Sequence, residues 1–240
     1  MTSRMGSVSE RLEAIRGRIT RACERVDRDP ASVQLLAVSK MQPAHAVAEA
    51  ADAGQQLFGE NYVQHWLGRV ENPTIVALKG IHWHFIGKLQ RNKIRFLLGR
   101  VRCIETVDRM KLARELSNRA LARGGGTPQH VLLEVNLAEE PGKAGFSPAG
   151  LSATLGELLT LPGITIDGLM SIPPQREVAE ASRSDHRALA ALRDRLQEEQ
   201  GVPLPTLSMG MSSDFEVAIE EGSTRVRVGT GIFGPRPPRA

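Results

Sequence analysis

The feature that most constrains this chain is a repeated alternation of short apolar runs with helix-patterned segments. The first run, Leu35-Leu36-Ala37-Val38, is continuous and of strand length, as suits a strand buried on both faces of a parallel sheet. Further runs fall at Leu57–Gly59, His82–Gly87, Cys103–Thr106, Val131–Asn136, Ile166–Ile172, Thr206–Met209 and Thr224–Val228. Helical spacing of apolar residues fills the intervals, as at Lys111–Ala122, Leu151–Leu159 and Ser182–Glu199. Strands separated by helices predict parallel βαβ units. An open doubly wound sheet and a closed (β/α)8 TIM barrel both use such units. Eight of them within 240 residues favour the closed α/β barrel, as one domain over 1–240 with flexible tails at 1–6 and 235–240.

Ahead of the first strand, Ser7 and Glu10 form a capping box, followed by Leu12, Ile15, Ile19, Ala22 and Val26 at helical spacing. This opening helix is expected to end near Asp29-Pro30, and Pro43 is placed as the first residue of the next helix. Aromatic residues are only 4% of the chain, so the core must be mostly Leu, Val, Ile and Ala. Such residues are expected to fill the barrel interior in branched layers.

Charge and cysteine content exclude several classes. The net charge is +4 and the pI about 9.4, which raises nucleic-acid binding. Yet arginines such as Arg91, Arg95, Arg100 and Arg102 are scattered among acidic residues, with no basic run interleaved with aromatics, so no nucleic-acid partner is expected. Cys23 and Cys103 have no C-x-x-C spacing and read as reduced thiols of a cytoplasmic protein. The first nine residues hold no apolar leader segment, and nothing approaches the roughly 20 apolar residues of a membrane span. His82 and His84 share a strand face, but no Asp, Glu or Cys recognisably completes a metal site, and none is expected. Glu60 is expected to pair with an arginine, and Gly124-Gly125-Gly126 to form a flexible turn before the fifth strand.

A barrel of this kind keeps its chemistry at the C-terminal ends of its strands. The first strand ends in Lys40. Such a lysine is either a solvated exit residue or, when desolvated, an amine that can lose its proton and attack an aldehyde. The last two strands lead into Ser208-Met209-Gly210-Met211-Ser212-Ser213-Asp214 and Arg227-Val228-Gly229-Thr230-Gly231. Both exits offer small residues and hydroxyls suited to an anion, and these loops are the recurrent phosphate site of the fold. Ser213 and Glu216 have capping-box spacing, which predicts a helix start pointing at the same place. Barrel closure would put Lys40 beside that cup, with Arg227 pointing inward. An amine, a phosphate cradle and a partner for a ring nitrogen are what pyridoxal phosphate (PLP) requires.

The wording of these segments resembles the pyridoxal phosphate homeostasis family. The matching stretches are Leu36–Lys40, Phe58–Gln64, Trp83–Gly87 with Leu89–Lys93, Gly168–Pro173, Ser208–Ser212 and Gly229–Gly234, in order across most of the chain. The resemblance implies a barrel of the alanine racemase N-terminal type with Lys40 as the cofactor lysine, holding PLP as a Schiff base. It implies Ser208, Gly229 and Thr230 at the phosphate, Arg227 facing the pyridine nitrogen and Asn61 near the ring. His84 and Met211, inside the same segments, are expected in the cofactor site. Glu105 and Ala144 are less typical, and neither is expected to touch the cofactor set.

The resemblance also implies a carrier or buffer of PLP acting in vitamin B6 and amino-acid homeostasis, with apo PLP enzymes as candidate recipients. The alternative is a small PLP-dependent racemase or decarboxylase. In the racemases a tyrosine from an additional C-terminal β domain of the partner subunit supplies the second base. Here the lone tyrosine, Tyr62, lies at the helix start after the second strand, and no second domain is expected after the barrel. An arginine at the ring nitrogen would also weaken the cofactor as an electron sink. The expectation is therefore a monomeric carrier with no catalytic residues.

Overall fold

The computed structural model describes residues 6–124, 126–174 and 176–235. Apart from Gly6 and Pro235, the tails expected at 1–6 and 235–240 lie outside the described residues, as does Gly125 of the glycine turn. Eight parallel strands close into a barrel in sequence order. They are β1 (Gln34–Val38), β2 (Leu57–Glu60), β3 (His82–Phe85), β4 (Cys103–Val107), β5 (Gln129–Val135), β6 (Ile164–Ser171), β7 (Thr206–Met211) and β8 (Arg225–Val228). The open-sheet alternative is thereby excluded. Closure runs through β1 and β8, with Leu36 opposite Arg227 and Ala37 opposite Val228. The exits of these two strands, at Lys40 and Gly229, are therefore neighbours.

The aliphatic core lies outside the barrel wall, between sheet and helices. Outward residues such as Ala37, Phe58, Ile104, Leu133, Leu169, Leu207 and Val226 pack with Leu12, Leu112, Leu116, Leu155, Leu189 and Leu196 of the helices in one buried cluster. Each such side chain contributes roughly 1.5–3 kcal/mol on burial. The interior differs from the expected branched layers. Among the described residues Cys103, Leu132 and Met170 form a separate apolar cluster, while His84, Glu105, Ser208, Arg225 and Arg227 are buried and bonded to one another there. Composition cannot show this, because it does not say which face of a strand receives the few buried polar residues.

Two element ends depart from expectation for local reasons. The opening helix spans Val8–Glu24 with its capping box formed, but it stops short of Asp29. Asp27 turns to φ 52°, the Arg28 N–H returns to the Cys23 carbonyl at 3.0 Å, and Val26 is left exposed. Pro43 caps the helix Ala44–Asp52 from outside rather than opening its first turn. Among the described residues no helix is long and apolar enough to cross a membrane.

Candidate functional site

The strand exits enclose a cavity of about 550 Å³ lined by residues of β1, β6, β7 and β8 and by the segments just after β2 and β3, within the range of small-molecule sites. Hollows of about 410 and 630 Å³ elsewhere lie beside the strand starts, near Gln34 and Leu57 in one case and Gln129 and His130 in the other. That end of a barrel is where stability rather than chemistry resides.

Lys40 lines the cavity, half-buried, immediately after the fully buried Ser39. Asn61, one residue past β2, lines it too, and its buried Oδ1 has no hydrogen-bond partner among the described residues. A buried polar atom left in this state is costly unless a ligand or water satisfies it. Met211, Gly229 and Thr230 form part of the wall, with Ser212 and Ser213 beside them. The Ser212 hydroxyl accepts the Gly229 N–H at 3.2 Å, tying the β7 and β8 exits into one lip. The capping box expected from Ser213 and Glu216 is not formed. Asp214 holds the N-cap position of the short helix Phe215–Glu220 without a side-chain cap bond, its carboxylate turned instead to the Met211 N–H at 2.7 Å and to His186 Nε2 at 3.1 Å. Glu216 pairs with Arg18 at 2.8 Å.

Arg227 lies in the cavity wall facing the barrel interior. Its guanidinium donates to the Ser208 carbonyl (2.7 Å), the Ser208 hydroxyl (2.8 Å) and the Ser171 carbonyl (2.8 Å). Burial lowers its affinity for a proton, against the opposing pull of the Glu105, Asp214 and Glu134 carboxylates. Ser208 is fully buried and is not among the cavity-lining residues. Its hydroxyl donates to Glu105 Oε2 at 2.6 Å. The structure thus puts Ser208 under Arg227, and Ser212 on the lip where the phosphate contact was expected.

His84 likewise sits inside the barrel rather than in the cavity wall, its Nδ1 2.7 Å from Glu105 Oε1. The same oxygen accepts from Arg225 Nη1 at 3.1 Å. Burial alone would raise the Glu105 carboxyl, but the His84 hydrogen bond and the charges of Arg225, His84 and Arg227 hold it down at about 2. Burial lowers the His84 imidazole. Glu105 was expected to stand apart from the cofactor set. It is instead the carboxylate that joins His84, Ser208 and Arg225 and neutralises the charge around Arg227. Cys103 and Glu105 also bring ligand atoms within 4.8 Å of those of His84, a convergence across strands that spacing along the chain did not disclose. Both Glu105 oxygens are already bonded, one of them to an arginine, so the cluster serves as a hydrogen-bond network.

Glu60 pairs with Arg69 at 2.9 Å, as expected of it. Lys88 and Arg176 complete the cationic part of the cavity wall; neither belongs to a motif, and only their position after strand ends would have signalled them. Tyr62 is half exposed, its ring tilted against that of His65 with centroids 5.2 Å apart, and does not line the cavity.

Residues 11–237 match the family described as alanine racemase, N-terminal domain. A pyridoxal phosphate homeostasis protein of Aquifex aeolicus is 45% identical over 229 residues, covering 95% of this chain and 97% of the relative. The pyridoxal phosphate homeostasis protein of Escherichia coli K12 is 39% identical over 236 residues, with 97% and 98% covered. Among solved structures, PipY of Synechococcus elongatus superposes with a TM-score of 0.84 without PLP and 0.83 with PLP bound, at 38% identity over 95% of this chain and all of that one. An alanine racemase of Clostridium difficile shares the fold alone, at 14% identity and a TM-score of 0.68, with 95% of this chain and 58% of that one covered.

Proposed function

The chain belongs to the pyridoxal phosphate homeostasis protein family, and on that premise we propose that it holds PLP covalently on Lys40. The observation that carries this reading is the placement of Lys40, across the closed β1–β8 seam, in one cavity wall with the Met211–Ser213 and Gly229–Thr230 exits. The residues present fit the group. The cavity is of suitable size, the lip offers three hydroxyls for a phosphate, and the orphaned Asn61 Oδ1 awaits a donor. PLP is bound in the PipY structure that superposes on this chain.

When bound, PLP supplies an aldehyde that captures amines and a ring able to withdraw electrons. Lys40 Nζ would be the amine that this aldehyde captures, with the carbonyl oxygen lost as water. Ser212, Ser213 and Thr230, with the Gly229 backbone, hold the phosphate. Arg227 presents its guanidinium to the ring nitrogen and opposes protonation there. Ser208, expected at the phosphate, serves the site by fixing Arg227, and Glu105 with His84 fixes Ser208. Asn61 stands beside the ring.

This arrangement suits a monomeric cytoplasmic carrier that buffers PLP for vitamin B6 and amino-acid homeostasis and passes it to apo enzymes. It needs no nucleic-acid or membrane partner. Titration of the purified chain with PLP should develop a long-wavelength absorbance band that Lys40→Ala protein lacks. The same band in the variant would overturn the assignment of Lys40.

A further inference from the structure

Lys40 sits in a turn gripped from outside the cavity. The Gln42 N–H returns to the Ser39 carbonyl at 3.0 Å, and between them Met41 adopts φ 62°, a left-handed conformation that a side chain disfavours. Arg69, from the helix Val63–Val70, donates Nη2 to the Ser39 carbonyl (3.2 Å) and to the Gln42 carbonyl (2.8 Å). One guanidinium therefore bridges the two carbonyls that flank Lys40 and Met41.

The counter-charge is Glu60, the fully buried last residue of β2. Its Oε1 accepts the Ser39 hydroxyl at 2.9 Å and lies 2.9 Å from Arg69 Nε. The Nε contact is poorly aligned for a hydrogen bond, so the pair is held mainly by charge. Burial raises the Glu60 carboxyl, opposed first by the Arg69 charge. Two charges buried in this way are a poor device for stability, where apolar side chains of similar size do as well or better. They are a good device for over-determining a backbone that would otherwise relax. Arg69, Glu60 and Ser39 are not among the cavity-lining residues, so none touches a ligand there directly.

We propose that the Arg69–Glu60 pair is a positioning clamp for Lys40, holding the strained Lys40-Met41 turn so that the amine meets an aldehyde bound in the cavity. The clamp rests on the cofactor reading above and adds a residue pair to it. It separates two quantities. Capture of the aldehyde depends on the direction of the Lys40 side chain, whereas seating of ring and phosphate depends on the cavity wall, which the clamp does not form.

Two probes read these apart on the full chain freed of cofactor: PLP, and pyridoxine 5′-phosphate, which has an alcohol in place of the aldehyde. Arg69→Lys keeps a charge but ends in one nitrogen, so it cannot meet Glu60 and the two carbonyls from separate atoms as Nε and Nη2 do. It should slow formation of the Lys40–PLP linkage by about tenfold or more, as misplacement of a reacting group does, with the alcohol's Kd within about twofold. Equal losses for both probes, or no change in either, would overturn the clamp. Ser39→Ala deletes one hydroxyl of the same network and leaves the ion pair. It should slow linkage by about threefold, and an unchanged rate would overturn the clamp even if the Arg69 variant fails to fold. Absence of any linkage on Lys40 in unaltered protein would instead overturn the cofactor reading and the clamp together.

Discussion

Burying Arg225 and Arg227 inside a barrel is tolerable because Glu105 stands between them and the other interior polar groups, with both of its oxygens in use. Charge thereby ties stability to pH in two opposite ways. Glu105 is held at about 2, below the ordinary carboxylate range, so its contribution is present at neutral pH and is lost as pH falls through that range toward 2. Glu134, on β5, is raised to about 7 by burial and then by the Asp108 charge, against Arg227, Lys143 and Lys88. Its contribution is complete below the ordinary range and is lost as pH rises through about 7. Denaturation midpoints should therefore fall on the acid side, and Glu134→Gln should flatten the loss between pH about 5 and 8; an unchanged neutral limb in that variant would contradict the assignment. The place of Lys40 in the cavity wall was legible in the sequence because it follows the apolar run of the first strand. That Ser208 lies against Arg227 while Ser212 lines the cavity was not legible. The pairing of β7 with β8 shifts register between Ser208 and Met211, and Gly210 takes φ 88°, so the two-residue period that assigns strand faces breaks there. The joining of His84, Cys103 and Glu105 was hidden for a related reason. It depends on how far β4 is staggered against β3, which neither strand encodes alone.

At the scale of elements, the site depends on backbones that approach closely. A Cβ on Gly87, after β3, would stand 2.0 Å from the Asn61 carbonyl after β2. The Gly87 carbonyl in turn accepts the Thr106 hydroxyl from β4 at 2.6 Å. Three strand exits are therefore packed through one glycine. Gly87→Ala should push the β2 exit aside, carry Asn61 with it and destabilise the fold by about 1–3 kcal/mol, the range for overpacking a well-packed position. Cofactor affinity should fall with it. A variant matching the parent in both titration and melting would show that the exits are not so packed. Element existence was readable from periodicity, since all eight strands and the long helices were anticipated within a few residues. Element ends were less so. Spacing licensed a capping box at Ser213 and Glu216, but Arg18 from the opening helix takes Glu216, and Asp214, bonded to His186, holds the N-cap position. Such tertiary partners outweigh a local motif worth about 1 kcal/mol.

For the whole molecule, closure matters most, because it alone brings residues near 40 and near 229 to one place. Eight units in this length pointed to that closure. The same count could not show that the interior would be polar, and the polar interior is what supports Arg227. Much of the excess of arginine is accounted for at the surface. Arg18, Arg25, Arg91, Arg183 and Arg187 pair with Glu216, Glu220, Glu115 and Glu221. On the cofactor reading proposed above, the Arg227 guanidinium would face the ring nitrogen, and Tyr62 does not line the cavity; both would favour holding the cofactor over α-carbon chemistry. Incubation with single amino acids should give enantiomer exchange and carbon dioxide release no faster than free PLP does. Rapid turnover of any one amino acid would overturn the carrier reading.

The central claim is that Lys40, placed by barrel closure, is the amine that takes the aldehyde. Borohydride reduction of the protein loaded with PLP, followed by peptide mass mapping, tests it most directly. The account predicts one reduced pyridoxyl phosphate adduct on Lys40 and loss of the absorbance band. An adduct confined to another lysine of the cavity, such as Lys88, or no stable adduct at all, would contradict it.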